Sequence, residues 1–90
     1  MKTYRIYTEN KNKDAINKIV SKSFDAFTTY VSTYDGVGFW RGTKERSLII
    51  EVITESKNAN KIKHVAQEIK KENKQEAVLI QELKTAIRFI

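Results

Sequence analysis

Apolar and polar positions alternate from the start of the chain, with Tyr4, Ile6 and Thr8 on one side and Thr3, Arg5 and Tyr7 on the other. A period of two is that of a half-buried strand, predicted over residues 2–8. After the polar stretch Glu9-Asn10-Lys11-Asn12, which offers Asn as a cap, the period changes. Ala15, Ile16, Ile19, Val20 and Phe24 recur at helical spacing. Phe27 to Arg41 is then rich in Thr, Tyr, Val, Phe and Trp, and Ser47 to Thr54 is strongly aliphatic. Both read as strands. Asp35-Gly36 and Gly42-Thr43-Lys44-Glu45 are competing turn signals. A turn at Gly42 is preferred, because it lets Tyr34–Arg41 pair with Ser47–Thr54 in matched lengths and leaves Asp35-Gly36-Val37-Gly38 as a bulge.

A second helix is predicted from Ser56 or Asn58 to near Asn73, with Ala59, Ile62, Val65, Ala66 and Ile69 on one stripe. Strand character resumes at Ala77-Val78-Leu79-Ile80, passes Glu82 to Lys84, and returns at Ala86 to Ile90. Strand, helix, strand, strand, helix, strand is the order of a ferredoxin-like βαββαβ sandwich, an α+β fold with a four-stranded antiparallel sheet and two helices on one face. Residues 1–90 then form a single domain.

This architecture raises a question of burial. Leu48, Ile50 and Val52 point to one side of their strand while Ile49 and Ile53 point to the other, and Ala77 to Ile80 is apolar on both sides. Two helices cover only one of these sets. The expected resolution is a homo-oligomer that buries the second set between copies.

Composition narrows the chemistry. Ninety residues with 40% apolar and 31% charged side chains suit a compact globular chain. The absence of cysteine excludes disulfides, thiolate metal sites and cysteine nucleophiles. No apolar run approaches the roughly 20 residues of a membrane span, and the start lacks the apolar core of a signal peptide, so a cytoplasmic location and no membrane partner are expected. The net charge of +6 is unevenly placed. Residues 1–24 hold six basic and two acidic side chains, residues 25–56 three and five, and residues 57–90 eight and four. Most of the excess lies on the two predicted helices, at Lys11, Lys13, Lys18, Lys22, Lys57, Lys61, Lys63, Lys70, Lys71 and Lys74. Such runs are usually solvated outer faces.

The stretch Val37-Gly38-Phe39-Trp40-Arg41-Gly42-Thr43-Lys44-Glu45, the aliphatic strand Leu48 to Thr54, and Gln75-Glu76-Ala77-Val78 after a helix resemble the CutA branch of the PII-like superfamily. The likeness rests on Phe39-Trp40, Gly42, Glu45 and Glu76 and spans roughly residues 27–82. The chain departs from the family pattern at Thr43, where the family has Lys, at Ala77 and Val78, where proline is usual, and in having no cysteine after the first helix. A distant PII-like relative is the fitting description. The resemblance implies a trimer whose sheets pack into a central barrel, with clefts between subunits near the hairpin that take nucleotides or small anions.

Candidate ligand-binding residues gather around that hairpin. Phe39 and Trp40 beside Arg41 and Lys44 offer a stacking surface with cationic neighbours, suited to a purine base and a phosphate, and Tyr34 lies closest to the cleft. The competing reading makes the aromatic pair a subunit contact. Arg46 and Arg88 flank apolar strands, where a guanidinium could clamp an anion or pair with Glu51 or Glu45, and Arg5 is open to the same two readings.

His64 is the only histidine, so no metal site is expected, and no cofactor either. No nucleophile elbow, Walker loop or paired histidine accompanies the serines and threonines, and Gly36-Val37-Gly38 lies between strand segments instead of opening a helix. The expected function is therefore non-enzymatic binding, of a sensor or sequestering type. Two alternatives stand beside it. One is a cofactor-free enzyme using Tyr34, Glu45 or His64 as acid or base. The other is binding of nucleic acid through the helix lysines. Nucleic acid is the less expected partner, because residues 46–54 lack the aromatic readout strand of RNA-binding sandwiches.

Overall fold

The computed structural model describes residues 1–31, 47–86 and 88. Strand β1 spans Lys2–Glu9, helix α1 Lys13–Ser21, β2 Thr28–Val31, β3 Ser47–Thr54, α2 Ala59–Glu72 and β4 Leu79–Lys84, with a short 3₁₀ turn at Ser56–Asn58 leading into α2. The sheet order is β2-β3-β1-β4, and every neighbouring pair is antiparallel. The expected α+β sandwich of ferredoxin-like type is the fold of the chain. No helix among the described residues is long and apolar enough to cross a membrane.

The period-two pattern decides which set of residues the helices cover. Tyr4 and Ile6 of β1, with Leu48, Ile50 and Val52 of β3, form one core with Ile16 and Val20 of α1 and Ile62, Val65, Ala66 and Ile69 of α2. The helix stripes explain this, since positions three and four apart share a face. Ile49 is also buried, yet it lies outside that core. It belongs to the opposite face of the sheet.

Three expectations change. β3 pairs on its outer side with Thr28–Val31, Val31 opposite Leu48 and Thr28 opposite Glu51, so these four residues take the positions 48–51 expected to face Tyr34–Arg41, a segment outside the described residues. This register turns Val31 toward the core, where Phe27 also packs. Matched strand length was the weaker criterion, because register is set by which side chains a face buries. The rest of the predicted hairpin lies outside the described residues. The last strand runs unbroken from Leu79 to Lys84, so Glu82 to Lys84 belong to it while Ala77 and Val78 precede it. Pairing with β1 along Lys2 to Tyr7 carries these polar residues into the ladder. Finally, Asn12 stands at the start of α1 with left-handed φ 58° and ψ 35°, but its side chain does not cap the helix. Its backbone carbonyl accepts from the Ile16 amide at 2.9 Å, and its side-chain amide turns to Asn73 instead.

That turn belongs to a polar hub where β1 ends, α1 begins and α2 ends. Asn73, buried, donates from Nδ2 to Thr8 Oγ1 at 2.9 Å and accepts from Asn12 Nδ2 at 2.9 Å. The Thr8 hydroxyl in turn donates to Gln75. Helix α2 closes there in a Schellman motif, with Gln75 N–H bonded to the Lys70 carbonyl at 3.0 Å and Lys74 N–H to the Lys71 carbonyl at 3.2 Å. Lys74 takes the left-handed position of that motif, at φ 51°.

Candidate functional site

Two surfaces of the described chain carry chemistry, one on each side of the molecule. The first is the sheet face the helices leave open, formed by Thr3, Arg5 and Tyr7 of β1, Ile49, Glu51 and Ile53 of β3, Thr28 and Tyr30 of β2, and Leu79, Gln81 and Leu83 of β4. Its centre is polar. Arg5 Nε donates to Glu51 Oε2 at 2.9 Å across the β1–β3 ladder, and Tyr30 Oη donates to the same oxygen at 3.1 Å. Beside them Tyr7 Oη donates to Gln81 Oε1 at 2.7 Å. Glu51 holds the Arg5 proton more firmly than usual, chiefly through this hydrogen bond. Burial, reinforced by Glu51, pushes the Tyr30 phenol up from its ordinary value.

Apolar side chains border this network. Ile53 is 45% exposed, Leu83 36% and Tyr30 37%. Ile49, whose strand neighbours on this face are Tyr7 and Tyr30, is covered. Among the described residues the face is thus neither aliphatic throughout, as the strand pattern alone suggested, nor of net charge. Arg5 and Glu51 neutralise one another, and Glu9 at its margin pairs with Lys11 at 2.9 Å.

The second surface is a groove over the helices, about 1090 Å³ in volume, whose lining includes Ile19, Lys22, Lys70, Lys71, Lys74 and Gln75. His64, Gln67, Glu68 and Glu72 complete it. His64 Nε2 bonds Glu68 Oε1 at 2.8 Å one helical turn away, which places the lone histidine in a surface pair. The ten helix-associated lysines noted above are all exposed.

Of the ligand-binding candidates, Tyr34, Phe39, Trp40, Arg41, Lys44 and Arg46 lie outside the described residues, as does Glu45. Arg88 is exposed beyond the end of β4 and makes no ion pair among the described residues. Arg5 takes the ion-pair reading, with Glu51 as its partner. Among the described residues no three His, Cys, Asp or Glu side chains gather to hold a metal ion. Sequence reading missed the Tyr30 and Gln81 contacts and the Asn73 hub. Alternation placed Arg5 and Tyr7 on the open face, but the cross-strand partners follow from register, which alternation leaves undetermined.

Comparison with known proteins returns neither a family model nor a curated protein that matches this chain.

Proposed function

We propose that this chain is a non-enzymatic binding protein whose working form is a homo-oligomer, a trimer, joined through the open sheet face and taking a small anionic, nucleotide-like ligand where subunits meet. One observation carries the assembly: the open face is internally neutral and exposes Ile53, Leu83 and Tyr30, on a chain of net charge +6 whose helix lysines all lie exposed. Two like-charged copies repel wherever lysines meet, and least across a face whose charges are already paired. Burial of its apolar rim supplies the attraction. The resemblance to PII-like proteins supports the ligand class, with Phe39, Trp40, Arg41 and Lys44 as the residues that would hold it.

Sedimentation equilibrium at micromolar concentration tests the assembly, and a monodisperse monomer overturns it. A thermal-shift screen of nucleotides, cyclic nucleotides and divalent cations tests the ligand, because a molecule that binds only the folded state raises its stability. Arg41→Ala and Lys44→Ala should abolish the nucleotide-dependent shift while leaving the assembly intact. If both variants keep the full shift, the hairpin is not the site.

A further inference from the structure

We propose that the groove over the helices binds the phosphate backbone of single-stranded nucleic acid without reading its bases. The groove belongs to one chain and lies on the side opposite the open sheet face, so it does not depend on assembly through that face. Four lysines line it, Lys22 following α1 and Lys70, Lys71 and Lys74 at the end of α2, against two carboxylates, Glu68 and Glu72. Glu68 is already engaged by His64 at 2.8 Å. None of the four lysines is ion-paired among the described residues, whereas Lys2, Lys11 and Lys57 each hold a glutamate. The groove therefore presents four lysines free of carboxylate partners among the described residues; Lys13, Lys18, Lys61, Lys63 and Lys84 are equally unpaired but do not line it, so what sets the four apart is their convergence on one concavity.

Lys74 adds a second observation. It occupies the left-handed position of the Schellman motif at φ 51°, where glycine fits without a steric penalty. A lysine there bears the backbone penalty and places an ammonium on the groove wall. Within α2, exposed Lys63 and Lys70 lie seven positions apart on one face, about 10 Å along the axis, so cations extend from the groove along the helix. A line of cations beside a groove suits a flexible run of phosphates better than one small anion. Among the described residues the lining contains no Phe, Tyr or Trp, and its one aromatic ring, His64, is held by Glu68, so recognition is of the backbone and independent of sequence.

The test uses a fluorescein-labelled oligothymidylate of about twenty nucleotides, titrated with the full chain at several salt concentrations. Micromolar affinity that falls steeply with salt is expected. The double variant Lys70→Ala/Lys74→Gly should weaken binding about tenfold at low salt and reduce the salt slope by about 1.4, the equivalent of two single-strand phosphate contacts. The control Lys11→Ala/Lys57→Ala removes the same charge outside the groove and should leave affinity within about twofold. Melting of each variant is followed on the same samples, and the glycine at position 74 keeps the helix terminus intact. Equal weakening by both double variants would show diffuse attraction to net charge and overturn the groove. So would failure to bind the strand at low salt, equally tight binding of a duplex of the same length, or a preference for anionic lipid vesicles over the strand.

Discussion

Asn73 Nδ2 donates to Thr8 Oγ1 at 2.9 Å and so joins the end of α2 to β1 across 65 positions of the chain. Both side chains are only 1% exposed, and Asn73 also holds Asn12 at the start of α1. A buried amide with partners on two other elements ties them together only while each of its bonds is made. Asn73→Ala should therefore destabilise the chain by about 1–3 kcal/mol, the cost of leaving buried partners unsatisfied, read as a lower urea midpoint.

The opposite helix terminus effect is expected one residue later. Lys74→Gly relieves a left-handed lysine and should stabilise the fold by about 0.5–1 kcal/mol, visible as a higher melting temperature. An unchanged or lower melting temperature would mean that the Lys74 side chain contributes contacts outweighing its backbone penalty.

Substitutions on β3 should separate folding from assembly. Ile50 is fully buried beneath the helices, so Ile50→Asp should unfold the chain. Ile53, 45% exposed on the open face, should accept aspartate without loss of secondary structure, and Ile53→Asp together with Leu83→Glu should yield a folded monomer. Circular dichroism and sedimentation on one sample distinguish these outcomes. A double variant that remains fully oligomeric would exclude the open face as the interface.

Acid sensitivity should involve Glu82, which accepts from Lys2 at 2.7 Å and Tyr4 at 3.2 Å. The bonds from Lys2 and Tyr4 hold its carboxyl below the ordinary value of 4.5. A carboxylate depressed in the folded state favours folding above its ordinary value, and the contribution is lost as pH falls through the depressed one. Glu82→Gln should accordingly flatten the drop in melting temperature below about pH 4.5. An identical acid limb in variant and parent would show that the Lys2–Glu82 pair is too solvated to matter.

At the alkaline end, Tyr4 and Tyr30 are both raised above their ordinary value of 10.0, chiefly by burial. Their contribution is present below that value and lost as pH rises through the raised ones. Tyr30→Phe should shift one phenolate transition out of the high-pH absorbance titration, and the remaining late transition reports Tyr4. A titration in which all tyrosines of Tyr30→Phe ionise together near 10 would contradict this assignment.

Local pattern sufficed for the elements themselves. Alternation in Tyr4-Arg5-Ile6-Tyr7 and the aliphatic, β-branched run Leu48 to Ile53 specify strands, and the stripe from Ile62 to Ile69 specifies a helix, because each depends on the geometry of adjacent residues. Their order then restricts the topology to few arrangements. The two-sided apolar character of β3 was likewise legible, together with its consequence that one set of side chains faces away from the helices. What the residues alone left open was which set. Packing resolved it, since only Leu48, Ile50 and Val52 share a side with Tyr4 and Ile6 once β1 and β3 are in register.

Tertiary structure also decided the partners of polar residues. Arg5 meets Glu51, Tyr7 meets Gln81, and Asn73 meets Thr8, pairs separated by 46, 74 and 65 positions. Nothing in the spacing of these residues names the partner, because a one-residue change of register would reverse every face and exchange every pair. Composition determined that the helices are basic, but only the antiparallel sheet with both helices on one side separates a cationic groove from a neutral face. The physical reason is range. Secondary structure responds to neighbours along the chain, whereas charge separation and polar satisfaction depend on which distant segments the burial of a shared core brings together.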